Sequence, residues 1–479
     1  MNDTWVRALL PAVALFFAAS IDRNYQTDLW HHLARGRVIV EEGEILNEDR
    51  FTYTVHGQPL RDVNWGTQVI FYRLFQWGGL ELLQSINALI LAVMLGLLTW
   101  HCQRRSQSWL LAMSFGLFTL LDLWQLILIL PHTFSLFHFV LLYFILENAK
   151  KHRWLLIIPP LIQALWVNLH GAFPIGLVLI GCYLFGSFVE RWLEQGRAVF
   201  RDAWLWCLLT CLIFSMLATL LNPYGWEVIR YVGTTSGRAA ERKIDEWLPP
   251  GMNQLISLVW IASVMGLLIL LSTPGKRPTP KDVCLLLCFL LPTFGSVRMI
   301  AWWLLISAPI LCGLLSERWR PKEEEPESSM GAKLVCFVFL LLAVIGLPWF
   351  EKINPVHRTV RPTHRVEHDL AELTRQLKPG VNVFTRFEWA EYVTWATKGS
   401  NRVHMDGRIE IIPDESWQEY KAITQGRGDW QQILDRHQVG YLILDQGAYH
   451  SQILPLVEAS ETWQRVDQKG DAILFVRRK

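Results

Sequence analysis

Asp28 and His32 are four residues apart in a segment that is predicted to be helical, because Leu29 and Leu33 recur on one apolar stripe. Side chains at positions i and i+4 share a helix face, so a carboxylate and an imidazole are placed together. A carboxylate oriented by an imidazole can accept a proton from a hydroxyl nucleophile. Asp28 and His32 are therefore candidate catalytic residues for acid/base or electrostatic work at the outer membrane boundary. The same spacing also fits the polar face of an interfacial helix, where Asp28 only stabilises the helix N-terminus.

Arg298 lies at the edge of an apolar stretch, and a charged side chain at membrane depth is costly enough to mark a candidate site. Its planar guanidinium matches the oxygens of a phosphate, which predicts contact with the phosphate of a lipid carrier. An equal alternative is that Arg298 reaches the lipid head groups while its stem covers apolar surface. We add His132, His170 and Asp49 to the candidate phosphate-binding group. For the two histidines, a hydrogen bond to a helix end is the structural alternative.

Four residues are candidates for contact with an acceptor or a sugar: Trp30, Trp65, Asp406 and Arg408. An indole ring offers a large, rigid apolar face that a sugar ring can cover. The tripeptide Asp406-Gly407-Arg408 is predicted to be a turn, since glycine supplies a positive φ. An ion pair that ties this turn is the alternative to a substrate contact. Most of the 24 tryptophans fit interfacial belts rather than sugar contacts.

The apolar composition of the chain predicts the kind of elements that position these residues. Of the 479 residues, 52% are hydrophobic and 18% are charged, and the mean hydropathy is +0.23. Soluble domains have about 25% charged residues, so the composition indicates a polytopic α-helical membrane protein. Stretches near the about 20 residues that cross a bilayer predict about eleven transmembrane helices, at residues 6–21, 80–100, 108–127, 133–147, 154–169, 173–189, 204–221, 254–272, 283–294, 299–316 and 334–349.

Lysine and arginine are concentrated in alternate connections between these spans, for example at Arg104-Arg105 and Lys150-Lys151. The positive-inside rule therefore places the N-terminus in the cytoplasm and the C-terminus outside, in a multi-pass membrane protein. The first span also resembles a signal peptide, because Arg7 precedes an apolar run that ends in Ala18-Ala19-Ser20. We favour an uncleaved span, and the remaining topology is the same in both cases.

The chain is predicted to form two domains. Residues 1–349 are a transmembrane domain, whose first outer loop, residues 22–79, contains two interfacial helices; the second of these covers 64–77 and ends at Gly78-Gly79. Residues 350–479 are predicted to form an extracytoplasmic α/β domain, because strand-like and helix-like segments alternate there. These segments include a strand at 402–405 and a final hairpin that turns at Lys469-Gly470.

Charge and cysteine content exclude several functions. The 45 Lys and Arg against 43 Asp and Glu leave no overall basic excess, so we expect no nucleic-acid partner. The eight cysteines lie inside or beside apolar runs and form neither a disulfide framework nor a spaced metal cluster. Cys284 and Cys288 would share a helix face, but without a second ligand pair we interpret them as small buried apolar side chains.

Several strings resemble a family of poorly characterised bacterial membrane proteins, whose members open with a D-L-W-W-H-L-x-x-G motif after the first span. They are Asp28-Leu29-Trp30-His31-His32-Leu33, Asn168-Leu169-His170-Gly171, Asn222-Pro223-Tyr224-Gly225-Trp226, Trp389-Ala390-Glu391-Tyr392 and Asp406-Gly407-Arg408. This chain departs from the family pattern in having His31 in place of the second Trp. Around Val63-Asn64-Trp65 it also lacks a carboxylate that some relatives have.

The first outer loop, with two interfacial helices and an acidic residue directly after the first span, is similar to that of the GT-C superfamily of integral membrane glycosyltransferases. The resemblance implies a GT-C-like fold, a catalytic role for Asp28, and sugar transfer from a polyprenyl-phosphate carrier on the extracytoplasmic face. No cofactor is certain, and a divalent metal is left open. The expected partners are the membrane, a polyprenyl-linked sugar or another lipid, and a protein at the C-terminal domain. The alternative function is a non-catalytic subunit or scaffold of an envelope complex that binds lipid and a protein.

Overall fold

The computed structural model describes residues 4–21, 28–123, 126–241, 245–251, 254–319, 330–345, 347, 365–408 and 412–478. The chain divides into two compact units. The first unit contains Met1–Asp22, Gly78–Ile229 and Lys243–Val360, and the second contains Arg23–Trp77, Arg230–Arg242 and Arg361–Lys479. The boundary that we predicted at residues 349/350 lies outside the described residues. The structure groups the first outer loop with the C-terminal residues, whereas the prediction had assigned it to the transmembrane domain.

The first unit is built of apolar helices. They are α1 (Thr4–Ile21), the second half of α3 (Trp65–Ser106), α4 (Trp109–Leu123), α5 (His132–Ala149), α6 (Ile158–Leu169), α7 (Pro174–Gln195), α8 (Ala203–Ala218), α10 (Leu255–Ser272), α11 (Pro280–Leu290), α12 (Ile300–Ser316) and α13 (Met330–Ile345). Helix α9 (Glu227–Glu241) crosses the division between the units. Short 3-10 turns, such as Arg153–Ile157 before α6, extend several of these helices.

Each predicted span overlaps one of these helices, with ends that differ by a few residues. Within the described chain, four helices are long and apolar enough to cross a membrane: Trp65–Ser106, Pro174–Arg201, Leu255–Ser272 and Val297–Ser316. The number of about eleven spans therefore stays a prediction. Many apolar side chains of this unit are exposed, including Leu161, Phe185 and Leu268, as expected of surfaces that face lipid rather than water. Helix α12 is the exception, because nearly all of its side chains are buried in the unit.

Helix α3 contains the predicted break at Gly78-Gly79. Gly78 has non-helical angles and Gly79 has a φ of 66°, a left-handed conformation that glycine adopts without steric cost. The break separates an amphipathic first half in the second unit from an apolar second half in the first unit. The predicted end of the second interfacial helix is therefore confirmed.

The second unit contains a small α/β fold. Its elements are α2 (Asp28–Glu42), the first half of α3, α14 (Arg365–Thr374), β1 (Asn382–Thr385), α15 (Phe387–Ala396), α16 (Asp414–Thr424), α17 (Trp430–Arg436), β2 (Val439–Asp445), α18 (Leu454–Ala459), β3 (Trp463–Lys469) and β4 (Ala472–Arg477). The strand order is β1-β2-β4-β3. Strand β1 is parallel to β2, and the other pairs are antiparallel. The predicted hairpin at Lys469-Gly470 is confirmed by β3 and β4.

Residues of the first outer loop extend this sheet at its β1 edge. Val403 bridges both Thr52 and Val383 in parallel. The amide of Tyr53 donates to the carbonyl of Val403 at 2.9 Å, and the amide of Val403 donates to the carbonyl of Phe51 at 3.0 Å. The predicted strand at 402–405 is thus wrong in extent, because it forms only single-residue bridges. The chain bends at Gly407 immediately afterwards and leaves the sheet before a ladder can form. The positive φ that we predicted for Gly407 is wrong, because this glycine does not adopt the left-handed conformation.

The loop also contributes to the apolar core of the sheet. Val55 is buried in one cluster with Phe384, Met405 and Phe475, which come from the C-terminal half of the chain. Burial of such side chains is the main favourable contribution to folding. The C-terminal residues and the first outer loop are therefore parts of one hydrophobic core.

We expect Val55→Ala in the full-length protein to destabilise the second unit by about 1–3 kcal/mol, because it removes buried methyl groups and leaves a cavity. Amide hydrogen exchange in β1 and β2 should accelerate accordingly. Val466→Ala is the matched control, since Val466 is exposed on β3. Unchanged exchange in the Val55 variant would contradict a shared core.

Candidate active site

Helix α2 forms one wall of a buried polar site in the second unit. It packs against α15, where the ring of Trp30 meets that of Tyr392 edge-on at a centroid distance of 4.9 Å. Arg37 donates to the carbonyl of Trp395 at 3.1 Å. Gly36 allows the first half of α3 to approach, since a Cβ at this position would lie 2.1 Å from the carbonyl oxygen of Gln68. These contacts fix the polar face of α2 opposite α15.

The first group in the site joins Asp28, His31, Glu391 and Gly407. Nδ1 of His31 lies 3.2 Å from Oε1 of Glu391, and the amide of Gly407 donates to the same oxygen at 3.0 Å. A Cβ on Gly407 would lie 2.2 Å from this oxygen and 3.2 Å from Oδ1 of Asp28. Only glycine therefore lets the turn approach both acidic side chains. Two carboxyl groups, separated by more than 360 residues of sequence, border one glycine.

The second group is built around the guanidinium of Arg408. Its Nε donates to both carboxylate oxygens of Asp406, at 2.8 and 2.9 Å. Its Nη2 contacts Asp406 at 2.5 Å and also contacts Asp49. The other oxygen of Asp49 accepts from the amide and the hydroxyl of Thr52, each at 2.9 Å. Asp49 therefore orders the loop segment at Thr52 and neutralises Arg408 at the same time.

The third group connects α2 with the first half of α3. Arg35 donates to Asp62 at 3.2 Å, and the amide of Gln68 donates to the other Asp62 oxygen at 2.8 Å. The same amide nitrogen lies 3.5 Å from Nδ1 of His32. Arg35, Asp62 and His32 are all buried. This network holds His32 on the side of α2 that faces α3.

Burial and neighbouring charges shift the protonation of the first two groups. Burial lowers the pKa of His31 to about 4, with Arg35 adding to the effect, so its imidazole is neutral near pH 7. Burial and the charge of Asp406 raise the pKa of Glu391 well above its usual value. Burial alone would raise the pKa of Asp406, but Arg408 holds it well below its usual value. The site therefore favours the protonated form of Glu391, a neutral His31 and an ionised Asp406.

Several polar atoms of the site are buried and have no protein partner within the described residues. They are Oε2 of Glu391, Nη1 of Arg408, and Nε and Nη2 of Arg35. Buried polar groups are almost always hydrogen-bonded, so a cluster of exceptions needs an explanation such as a bound ligand or water. Donors and an acid in one site are suited to hydroxyl groups of a polyol. Chemically, the arrangement can bind hydroxyls and accept a proton at Asp28.

The carboxylates around Arg408 and Arg35 are already paired with these arginines. Among the described residues, no group of three or more His, Cys, Asp or Glu side chains has the geometry to hold a metal ion. Arg408 binds the carboxylates of Asp49 and Asp406, and Arg35 binds that of Asp62. Guanidinium groups thus supply the positive charge that these carboxylates require.

The structure brings together most of the predicted residues of the first outer loop and the tail. Asp28, Asp406 and Arg408 lie in one polar site, and Asp49 joins them through Arg408. Trp30 is buried against protein rings and exposes 5% of its surface. Trp65, at the start of α3, is half-buried. Asp49 had been grouped with Arg298, but the two belong to different units.

The other predicted phosphate-binding residues lie together in the first unit. Arg298 donates to Glu246 at 2.6 Å and lies over the ring of Trp247 at 5.2 Å. Its charge acts on both His132 and His170. His132 lies 3.1 Å from the carbonyl of Leu126, and His170 lies 2.7 Å from the hydroxyl of Ser135. Both histidines therefore also have the structural hydrogen bonds that were considered as their alternative role.

Four residues of the site were not predicted from the sequence: His31, Arg35, Asp62 and Glu391. Glu391 was visible within Trp389-Ala390-Glu391-Tyr392, but without an assigned role. Asp62 is adjacent to Val63-Asn64-Trp65, where no carboxylate was predicted, and it is buried beside Arg35. No spacing rule relates His31 to Glu391, because their contact depends on tertiary structure alone.

Comparisons with known proteins identify the fold. No protein-family model and no curated protein matches the sequence. The oligosaccharyltransferase of Archaeoglobus fulgidus in the apo form is similar over 93% of this chain and 70% of its own, with a TM-score of 0.58 and 11% identity. The same enzyme, AglB, in complex with an inhibitory peptide and a dolichol-phosphate, is similar over 92% of this chain and 69% of its own, with a TM-score of 0.53 and 11% identity.

The arabinofuranosyltransferase AftD from Mycobacteria is similar over all of this chain, with a TM-score of 0.55 and 14% identity. This chain covers 40% of AftD. These neighbours are membrane glycosyltransferases of GT-C type, so the GT-C-like fold implied by the sequence resemblance is supported. At these identities the similarity is one of fold.

The raised pKa of Glu391 makes the stability of the second unit depend on pH. A folded-state pKa above the unfolded value adds stability that is complete below about pH 4.5 and is lost as the pH rises through the folded value. Glu391→Gln keeps the acceptor for Gly407 but cannot ionise. We expect this variant to gain stability relative to the wild type, by up to about 1.4 kcal/mol per pH unit, between pH 6.5 and 8.5.

This pH interval avoids His31, whose lowered pKa affects stability only between about pH 4 and 6.5. The measurement is the unfolding free energy in detergent at several pH values. Glu458→Gln, which alters an exposed ion pair with Arg465, should follow the wild type. Parallel curves for wild type and Glu391→Gln would mean that Glu391 is ionised in the folded protein.

Proposed function

We propose that the protein is a GT-C-type glycosyltransferase of the bacterial inner membrane. It transfers a sugar from a polyprenyl-phosphate carrier to an acceptor on the extracytoplasmic face. The observation that carries the proposal is the buried polar site at Gly407, where Asp28 and Glu391 converge beside arginine atoms that have no protein partner. Support from the fold comes from AglB, a neighbour determined with a dolichol-phosphate.

Asp28 is the catalytic base in this proposal. Its carboxylate takes the proton of the acceptor hydroxyl as that oxygen attacks the anomeric carbon of the sugar. The bond between this carbon and the carrier phosphate oxygen breaks, and the carrier phosphate leaves with the bonding electrons. His32, one turn along α2, orients Asp28. His31 is neutral at pH 7, so it adds no positive charge that would lower the basicity of Asp28.

The remaining residues bind the two substrates. Arg408 offers Nη1 to a hydroxyl of the acceptor or sugar, while Asp406 and Asp49 hold the guanidinium in place. The half-buried ring of Trp65 offers a stacking face, whereas Trp30 supports α2. Arg298, with His132 and His170 nearby, binds the carrier phosphate and exchanges its contact with Glu246 for the phosphate oxygens. A protein partner binds the C-terminal part of the second unit.

We expect Asp28→Asn to lower sugar transfer from a polyprenyl-phosphate donor by about 10²–10⁴-fold, because the amide preserves shape but cannot accept the proton. The free energy of unfolding should change little, because a charge at a helix N-terminus stabilises a protein by only about 0.3–1 kcal/mol. Glu44→Gln is the matched control, because Glu44 is exposed and lies just beyond the C-terminal end of α2. Transfer by this variant should equal that of the wild type.

The same variants distinguish the proposed enzymatic function from the alternative of a non-catalytic scaffold. Full complementation of a deletion strain by Asp28→Asn would reject the catalytic role. It would favour a non-catalytic subunit that binds lipid and a protein partner.

A further inference from the structure

A polar cavity of about 270 Å³ lies in the first unit, among the ends of five helices. Its lining includes Arg105 of α3, Lys150 at the end of α5, Glu190 and Arg191 of α7, Trp204 of α8, and Lys281 and Asp282 of α11. These basic residues come from four of the connections that the charge distribution predicts to be cytoplasmic. The cavity is therefore at the end of the unit opposite to Arg298.

The inner wall of this cavity is a closed charge network. Arg105 donates to Asp282 at 2.8 Å and to Glu147 at 3.2 Å. Lys281 donates to the other oxygen of Glu147 at 2.5 Å and lies over the ring of Tyr183. Two cations and two anions thus neutralise one another. The network ties α3, α5 and α11 together and has no net charge with which to attract a ligand.

Three other charged residues of the lining, Lys150, Glu190 and Arg191, are not part of this ion-pair network. Within the described part of the chain, Lys150 and Glu190 form no ion pair. Arg191 contacts Asp202 at 3.4 Å, a carboxylate that also caps α8 through the amide of Trp204. The wall of the cavity therefore presents both a free ammonium group and a free carboxylate.

Aromatic side chains place this cavity at a membrane surface. Phe188, Trp192 and Phe200 form a cluster with ring centroids about 6 Å apart. Trp192, Phe200 and the nearby Trp206 are exposed. Exposed tryptophan and phenylalanine at the end of apolar helices are typical of the level of the lipid head groups. A lipid bound in this cavity thus has its polar head group at the level of the bilayer interface.

We infer that the cavity binds the head group of a zwitterionic aminophospholipid. The phosphate contacts Lys150 and Arg191, and the ammonium group donates to Glu190. Basic pockets between transmembrane helices on the cytoplasmic side are suited to lipid phosphates, and Glu190 adds the selectivity for an amine. A lipid with a quaternary amine cannot donate to Glu190, and a lipid with a glycerol head group has no cation. The site is separate from the proposed transfer chemistry.

The test is native mass spectrometry of the full-length protein in detergent, titrated with phosphatidylethanolamine, phosphatidylcholine and phosphatidylglycerol. Wild-type protein should retain phosphatidylethanolamine at least tenfold more tightly than the other two. Lys150→Ala should remove most of this binding, whereas Lys151→Ala, an adjacent exposed lysine outside the lining, should keep it. Glu190→Gln should remove the preference for phosphatidylethanolamine over phosphatidylglycerol.

The result that overturns the proposal is equal retention of the three lipids by the wild type, or equal loss in the Lys150 and Lys151 variants. Displacement of the lipid by millimolar inorganic phosphate would also overturn it, because the source of the bound phosphate would then be a soluble ion. Thermal stability without added lipid should be measured for each variant. A Lys150→Ala variant that binds no lipid but melts like the wild type supports a binding role for Lys150.

Discussion

The burial of one guanidinium constrains the whole second unit. Arg408 exposes 7% of its surface, and a buried charge is tolerated only when it is paired and hydrogen-bonded. Its partners are Asp406, two residues away, and Asp49, 359 residues away in the first outer loop. The loop must therefore fold against the C-terminal residues. Once it does, Val403 meets Thr52 and the turn at Gly407 meets α2.

The candidate site depends on this arrangement. The turn that contains Arg408 also places the amide of Gly407 on Glu391 and brings Glu391 beside His31. Asp28, at the N-terminus of α2, borders the same glycine. The three consecutive residues Asp406-Gly407-Arg408 thus connect the residues proposed for catalysis with the carboxylates that pair with Arg408. A change that frees Arg408 would also move Gly407 away from α2.

Local features of this structure could be predicted from the sequence, whereas the long-range pairs could not. The length of the apolar stretches predicted where the helices lie, and Gly78-Gly79 predicted the break in α3, because both features depend on neighbouring residues alone. The ion pair that ties Asp406 to Arg408 was considered for the same reason. The contacts of Glu391 with His31 and of Asp49 with Arg408 join residues far apart in sequence. Periodicity carries no information on such contacts, so Glu391 had no assigned role and Asp49 was grouped with Arg298.

The most direct measurement is a double-mutant cycle between the loop and the turn, using Asp49→Asn, Arg408→Gln and the double variant in the full-length protein. Arg408→Gln leaves the buried carboxylates of Asp49 and Asp406 without their cation and should lower the unfolding free energy of the second unit by about 3–5 kcal/mol. Asp49→Asn leaves Arg408 paired with Asp406, so the loss should be smaller. The double variant should lose at least about 2 kcal/mol less than the sum of the two, because residues in contact are coupled. Additive losses would contradict the claim that Arg408 joins the first outer loop to the C-terminal residues.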